Sequence, residues 1–435
     1  MSYGWARMRL IAAALLLASP AFAAHVTDVA DAGDERHPLE VDLDVTYQHS
    51  LTRTKISREQ PTSAGFEDEL QHTRTLDALM LRLNIGLWHD LELHAFAPWA
   101  IRDAQDWNYA GSTSAATSTL SNNTIDVSGC AGSKCGAVKP IVTVPGQSQR
   151  AGLGDPTIGL AWGPINEERQ QRLKPELFPE GKPVSTWVIG VDYTLPLSGP
   201  VDDPTRYLTA GQPAGPERKK AHVVTLWTAF SKRYQVLEPY LRLSGSAPFA
   251  TSSAYDNCNN KALLSEVAPA NCDGAWKGQT GYKPPWEAEF TLGAELVAAE
   301  DIKGDQRLAF DIRGDLRYHG PGREYTQVTD ALGKLTYADE YLTTLASLGL
   351  YGRLARWFHL RVYGTVGFET AHFLTHEEIG EDKTGGGGIV ISGGRGIAAP
   401  DQNPNYDFRL DQVGHRLRAE PAIIWGVAGS LSLNF

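Results

Sequence analysis

Two histidines and two glutamates near the C-terminus could bind a metal ion: His372, His376, Glu377 and Glu378. These side-chain types are common metal ligands, but residues four apart share a face only in a helix. This segment leaves a predicted strand for a loop. We therefore expect a solvated loop here and no metal site.

Other catalytic signals are equally weak. The run Gly385 to Gly388 could be mistaken for a phosphate-binding loop, but no helix follows it, so we predict a flexible loop. The chain contains no G-x-S-x-G elbow, H-E-x-x-H helix or P-loop. His94 could serve a hydrolase as its base, yet no spacing singles out a serine partner. We predict a protein that is not an enzyme and has no cofactor.

The N-terminus predicts export from the cytoplasm. Arg7 and Arg9 precede the apolar run Leu10 to Ala18, and Ala21-Phe22-Ala23 forms a small-x-small cleavage site. We therefore predict a signal peptide over residues 1–23, with cleavage after Ala23. The alternative is a retained anchor helix, for which the apolar run is short.

Export bears on the four cysteines, because an oxidising compartment permits disulfides. Four cysteines allow three pairings. We favour Cys130–Cys135 and Cys258–Cys272, since each pair falls within one polar segment. Zinc is the rival interpretation, but no second pair has metal-like spacing.

Composition narrows the class of protein. The chain has 435 residues, of which 42% are hydrophobic and 21% charged, values that argue against disorder. A formal net charge of −11 argues against a nucleic-acid partner, because phosphate binding needs a basic surface. Beyond the N-terminus no run of about 20 apolar residues occurs, which excludes a bundle of membrane helices. A soluble secreted protein and a membrane β-barrel remain.

A period-two alternation of apolar and polar residues recurs along the chain. In residues 307–319, for example, apolar residues such as Phe310 and Ile312 alternate with charged ones such as Asp311. We predict twelve strands, at residues 39–48, 79–87, 91–101, 152–162, 185–195, 221–231, 237–243, 286–296, 307–319, 340–351, 358–368 and 427–435. The strands at 221–231 and 340–351 are the least regular.

The predicted links between these strands are of two kinds. Short links are His89-Asp90, Arg233 to Gln235, Asp301 to Gln306 and Gly352 to Ala355. Long polar links are residues 50–74, 103–150, 198–219, 250–284, 320–339 and 373–418. Short turns at one end and long loops at the other are typical of a transmembrane antiparallel β-barrel of the outer membrane, with periplasmic turns and extracellular loops. One link departs from the pattern: Pro164 to Pro183 is long for a turn, and a short helix is predicted around Glu167 to Leu173.

A closed sheet in a bilayer turns its apolar face to lipid and its polar face to the lumen. Aromatic residues near the predicted strand ends fit the girdles found at membrane interfaces; they are Trp99, Trp162, Trp187, Trp286, Tyr318 and Phe358. The side chains predicted to line the lumen are Glu40, Asp42, Asp44, Arg82, Glu92, His94, Asp155, Asp192, Glu238, Arg242, Glu287, Glu289, Glu295, Arg307, Asp311, Arg313, Asp315, Arg317, Arg361 and Glu369. Acids outnumber arginines in this set, so we expect a mildly cation-favouring lumen.

Two segments carry a resemblance to known families. The C-terminal Ser-Leu-Ser-Leu-Asn-Phe, ending at Phe435, looks like that of a Gram-negative outer-membrane protein, whose terminal aromatic residue is read by the barrel assembly machinery. Residues 152–160, Gly-Leu-Gly-Asp-Pro-Thr-Ile-Gly-Leu, resemble a strand opening common in the putative meta-pathway phenol-degradation family of outer-membrane transporters. That resemblance implies passage of small, often hydrophobic or aromatic, molecules. The long outward loops and the cysteine pairs depart from the family.

The predicted organisation is a signal peptide at 1–23, a periplasmic N-terminal segment at 24–37 and an outer-membrane barrel at 38–435. We predict a channel or transporter for uptake of a small molecule, with the lipid bilayer and the assembly machinery as partners and no nucleic acid. A selective channel for polar or cationic solutes is the alternative within this class. A lipid hydrolase and a surface-adhesion barrel are the alternatives outside it. The sequence does not predict the oligomeric state.

Overall fold

The computed structural model describes residues 24–32, 39–60, 65–120, 146–166, 185–197, 221–251, 254–264, 271–301, 306–355, 357–381 and 401–435. Several predictions fall outside these residues: the signal peptide, the pair Cys130 and Cys135, the helix around Glu167 to Leu173 and the run Gly385 to Gly388.

Strands make up most of the described chain. They are β1 Val41–Glu59, β2 Phe66–Trp88, β3 Leu91–Tyr109, β4 Gly146–Leu153, β5 Thr157–Ile165, β6 Ser185–Thr194, β7 Ala221–Lys232, β8 Leu237–Ala250, β9 Glu287–Asp301, β10 Gln306–His319, β11 Gly322–Glu324, β12 Thr336–Ala338, β13 Tyr341–Ala355, β14 Phe358–Glu369, β15 His372–Phe373, β16 Leu417–Ala419 and β17 Ala422–Asn434. Two short helices are α1 Thr329–Leu332 and α2 Phe408–Asp411. Short 3-10 segments occupy His25–Thr27, Asn257–Leu263 and Asn271–Asp273.

The long strands form a closed antiparallel barrel of twelve strands. Each pairs with its neighbour along the chain, and β1 pairs with both β2 and β17, which closes the ring. β4 and β5 together make one wall strand that is broken at residues 154–156, and both pair with β3. The predicted fold class is confirmed, and each of the twelve predicted strands overlaps a strand of the wall.

The two faces of the wall differ as the alternation predicts. In β10, Phe310 and Ile312 are exposed on the outer surface, whereas Arg307 and Asp315 are buried on the inner face. Large aromatic side chains such as Trp99 and Trp286 are also about half exposed on the outside. An apolar outer band around a polar interior is the arrangement of a transmembrane barrel. Within the described residues, no helix has the length and apolar character needed to cross a bilayer.

The barrel has a short-turn end and a long-loop end. At the short-turn end β2 and β3 join through His89 and Asp90, both with positive φ, as a two-residue hairpin of primed type requires. The predicted turn Gly352 to Ala355 is wrong by a few residues, because β13 continues to Ala355 and β14 begins at Phe358. The pairing of β13 shifts register at Arg353. This shift interrupts the period-two alternation, so the alternation does not mark where the strand ends.

The first predicted loop is also wrong, because most of residues 50–74 are strand. β1 continues to Glu59 and β2 begins at Phe66, so the two form a long hairpin that extends past the apolar band. The loop predicted at residues 103–150 is shorter in the structure than predicted, because β3 runs to Tyr109 and β4 begins at Gly146. These extensions have no lipid-facing side and therefore lack the alternation by which the other strands were recognised.

Candidate functional site

A buried cluster of charges joins three neighbouring strands near the short-turn end. Arg307 of β10 lies 2.9 Å from a carboxylate oxygen of Glu295 in β9 and 3.5 Å from one of Glu238 in β8. All three residues are at most 3% exposed. Two carboxylates face one guanidinium, so this cluster has more acidic than basic groups.

His94 of β3 is held between two carboxylates. Its Nδ1 lies 3.0 Å from Glu92 Oε1, and its Nε2 lies 2.8 Å from Oδ1 of Asp192 in β6. Gly159 of β5 stands between His94 and Asp192 in the ladder, and a Cβ there would overlap both side chains. Because carboxylates engage both ring nitrogens, His94 is not placed to activate a serine.

Further polar contacts continue the inner face towards the long-loop end. They join Arg317 to Glu289 at 2.8 Å, Arg313 to Asp315 at 3.0 Å and the Tyr240 hydroxyl to Asp311 at 2.6 Å. The last contact spans from β8 to β10 over Gly293 of β9, where a side chain would meet the Tyr240 ring. This contact joins two non-adjacent strands across the inner face of the barrel.

The structure places most other predicted lumen residues on the same face. Asp44 accepts a hydrogen bond from Ser432, Glu287 lies 3.5 Å from His319, and Glu369 accepts a 3.3 Å bond from Gln327. Arg242 stacks over Trp227 and Arg361 over Tyr351. Asp42 lies opposite Asn84 in the ladder, and Arg82 lies opposite Asp44. Asp155 is set apart, because it occupies the break between β4 and β5 and accepts the backbone N–H of Leu197.

Residues 24–32, here called the inner segment, lie inside the barrel near the short-turn end. The backbone N–H groups of its first two residues donate to Glu238 and Glu295. Those of Ala30 and Asp31 donate to Glu92 at 2.8 Å and Glu40 at 3.0 Å, on β3 and just before β1. The segment therefore crosses the lumen from the β8–β9 side of the wall to the β1–β3 side.

The long-loop end carries a second cover, here called the cap. It consists of residues 110–120, 320–340, 370–381 and 401–421, packed on the extended ends of β1 to β3. The apolar core between the cap and these strand ends contains Ile56, Leu70, Trp107, Leu120, Val328, Ala331, Leu332, Leu374, Leu410, Leu417 and Ala419, all at most 5% exposed. Burial of this much apolar surface makes the cap a packed layer over the barrel mouth.

Buried ion pairs fasten the cap to the wall and to itself. Arg150 of β4 makes a two-point contact with Asp330 of α1, at 2.5 and 3.2 Å. Within the cap, Arg323 pairs with Glu377 at 2.8 Å and Arg409 pairs with Asp407 at 2.5 Å. All of these charged groups are nearly or fully buried, and the ion pairs offset part of the cost of burying their charges.

The histidines considered at first as metal ligands belong to the cap, where each has a different partner. His372 Nδ1 donates to the Thr370 carbonyl at 3.0 Å, and burial lowers the pKa of His372 to about 4. His376 pairs with Asp339, and Glu377 is engaged by Arg323. The described part of the chain contains no group of three residues that could hold a metal.

A disulfide joins Cys258 to Cys272 in the loop between β8 and β9, with 5.7 Å between the Cα atoms. This is the sequence-near pairing that we predicted. It lies at the long-loop end, where an exported barrel would meet an oxidising environment.

Sequence reasoning did not place the inner segment in the lumen and did not identify the contacts that form the cap or the partners of Gly159. Glu40, Glu92 and Glu238 all stand at or next to the start of a strand at the short-turn end, and this coincidence could have indicated acceptors for a further piece of chain. Gly159 belongs to the segment that carries the family resemblance, but its need for close approach depends on His94 and Asp192, which are distant in sequence.

The cap should open more readily as the pH rises. Asp411 accepts the backbone N–H groups of Glu377 and Asp407. Burial raises the pKa of Asp411 from 3.8 to about 7, with Lys334 opposing the shift and Glu377 reinforcing it. Between pH 3.8 and about 7, Asp411 is protonated in the folded cap but ionised in the opened chain. The stability of the cap against opening therefore falls as pH rises through this window.

Hydrogen exchange at the Glu377 and Asp407 amides, corrected for intrinsic exchange rates, measures this opening. We expect the opening equilibrium to increase by at least about tenfold between pH 5 and pH 8. Asp411→Asn should be less stable throughout, because its amide NH2 group replaces one of the two accepting oxygens and leaves one backbone N–H without an acceptor, but it should lose this increase. An equal increase in the variant would show that another group titrates. His372 contributes with the opposite sign, because its lowered pKa makes stability rise with pH.

The comparisons with known proteins found distant structural similarities. No family model and no curated protein sequence matches the chain. An outer-membrane channel from Pseudomonas putida F1 aligns at 12% identity with a TM-score of 0.41, over 91% of this chain and 95% of that one. A deletion mutant of the monoaromatic hydrocarbon channel TodX aligns at 9% identity and 0.33, over 94% and 96%. The Escherichia coli outer membrane protease OmpT aligns at 8% identity and 0.26, over 93% and 99%. The resemblance to the phenol-degradation family stays a prediction.

Proposed function

We propose that the protein is an outer-membrane channel through which a small molecule enters the cell. The observation that carries this proposal is a closed wall with an apolar outside, a polar inside and two covers that are separate from the wall strands. A barrel built for adhesion needs no polar interior, whereas a solute path does.

The charges of the inner face favour a polar solute, with cations preferred over anions. Acids outnumber arginines among the residues assigned to this face, and arginines such as Arg313 and Arg317 are already paired with carboxylates. The break between β4 and β5 does little to support a hydrophobic substrate that leaves the lumen through the wall, because backbone hydrogen bonds flank the break. Gly154 N donates to Pro98 O and Leu195 N donates to Pro156 O, both at 2.8 Å. These bonds continue the wall on both sides of the break.

Ion selectivity in planar bilayers tests the proposal. The purified barrel should give single channels whose reversal potential in a KCl gradient shows cation preference. Neutralising Glu287 and Glu289 by Glu→Gln should reduce that preference, because both carboxylates lie near the long-loop mouth of the lumen. Glu67→Gln is the matched control, since Glu67 is exposed on the β1–β2 hairpin and should leave selectivity unchanged.

Other outcomes would replace the proposal. Absence of any conductance, with hydrolysis of lipid by the pure protein, would favour the enzyme. Liposome uptake of a monoaromatic hydrocarbon without uptake of cationic amino acids would favour the hydrophobic substrate class. Selectivity that persists in the double variant would remove these two acids from the solute path.

A further inference from the structure

We propose that cleavage after Ala23 creates an α-ammonium group at Ala24 that forms a buried ion pair with Glu238, and that this pair holds the inner segment in the barrel. The site is therefore made by processing of the chain itself. The inference uses the predicted cleavage site, and it is independent of whether the barrel conducts a solute.

Two independent observations meet at residue 24. The small-x-small motif Ala21-Phe22-Ala23 places the new N-terminus at Ala24. The fold places the nitrogen of that same residue in hydrogen-bond contact with Glu238 Oε1, and Glu238 has no exposed surface. The next nitrogen, that of His25, donates to Glu295 Oε1 at 3.0 Å.

The charges around this nitrogen call for a cation. Glu238 and Glu295 share Arg307 as their cationic partner, and all three are buried near the end of the lumen. Asp28 adds a carboxylate to the same buried region, where Glu40, Glu92 and Glu295 repel it and Arg353 attracts it. A buried carboxylate without a compensating charge is strongly unfavourable. A peptide N–H can donate one hydrogen bond to Glu238 but brings no charge, whereas an α-ammonium supplies both.

Neighbouring contacts fix the geometry of the pair. Thr27 Oγ1 lies 3.0 Å from the Ala24 carbonyl and 2.8 Å from Ser231 Oγ on β7. The 3-10 turn His25–Thr27 therefore anchors the first residue against the wall on which Glu238 stands. Because these contacts fix the nitrogen next to Glu238, the ion pair costs little additional ordering of the chain.

Chemical reactivity of the N-terminal amine tests this inference. Full-length precursor is expressed in a Gram-negative host, and the mature protein is extracted from outer membranes in detergent. Intact mass and N-terminal sequencing should show a chain that begins at Ala24. Reductive methylation with formaldehyde near neutral pH should then modify this amine at least about tenfold more slowly in the folded protein than in the denatured chain, because a paired, buried ammonium is not nucleophilic. Lys277 is exposed and serves as the internal reference amine.

Glu238→Gln should bring the methylation rate of the folded protein close to that of the denatured chain. Glu300→Gln is the matched control: the Glu300 side chain is 7% exposed at the same end but pairs with Arg233 at 2.7 Å, so the Ala24 amine should stay protected. Insertion of Gly-Ser directly before Ala24 offers a second route if Glu238→Gln does not fold. It moves the amine away from Glu238, and the new terminus should react rapidly.

A mature chain that begins elsewhere, or an Ala24 amine that reacts as fast folded as denatured, would overturn the inference. So would protection that survives Glu238→Gln. None of these readouts uses conductance, so failure of the ion pair and failure of the proposed channel are separate results.

Discussion

Removal of residues 24–32 is expected to raise the single-channel conductance severalfold. The inner segment crosses the lumen at the short-turn end, and its backbone donates to Glu238, Glu295, Glu92 and Glu40. Without it, water and ions gain that cross-section of the barrel. The same deletion should leave the four carboxylates facing solvent, so cation preference should also increase.

The deletion can be made with the signal peptide retained, and it removes no wall strand. Heat-modifiable migration and β-type circular dichroism should therefore match those of the parent protein. A second variant, in which Gly and Ser replace the nine residues 24–32, keeps the chain length but loses the side-chain contacts. We expect it to flicker between low and high conductance. Unchanged conductance in both variants would mean that the narrowest point lies elsewhere.

The wall was predictable from sequence because its signal is local. In β10 most inward positions carry Arg or Asp and most outward positions carry Leu, Phe or Ile, because water lies inside the barrel and lipid outside. The signal fails where the lipid ends. In the upper part of β1, Thr54, Ser57 and Arg58 are buried under the cap, so the strand continues without an apolar outer face.

The covers could not be predicted because their contacts join residues far apart in the chain. The inner segment has no periodicity of its own, and Ala24 meets Glu238 across 214 positions. Arg150 meets Asp330 across 180 positions. Sequence periodicity predicts neither of these two contacts, because the partners come together only when the ring of strands closes.

Loss of Asp330 should release the cap from the wall. Asp330 binds Arg150 at two points, and both side chains are at most 3% exposed. Removing one member of such a buried pair costs about 3–5 kcal/mol, mostly because the remaining charge stays in a poorly solvated place. In Asp330→Ala we therefore expect α1 to separate from β4. Hydrogen exchange at the Leu332 and Gly333 amides, which donate to Val328 and Thr329, measures this opening.

Matched variants separate the buried charge from other causes. Asp68→Ala removes the exposed partner of Lys55 on the β1–β2 hairpin and should change exchange in the cap very little. Replacing both members of the buried pair by apolar residues, Arg150→Met with Asp330→Leu, should recover much of the lost stability, because no charge then remains buried. If the double variant is as open as Asp330→Ala, the cost lies in lost packing around α1.

The two covers lie at opposite ends of one lumen, so they should act as resistances in series. With the inner segment present, Asp330→Ala should change conductance little, because the short-turn end still limits the current. In a chain that also lacks residues 24–32, the same substitution should raise conductance beyond the level of the deletion alone. A large increase from Asp330→Ala by itself would show that the inner segment does not restrict ions. Solute entry would then be controlled at the cap, where Arg150 and Asp330 meet.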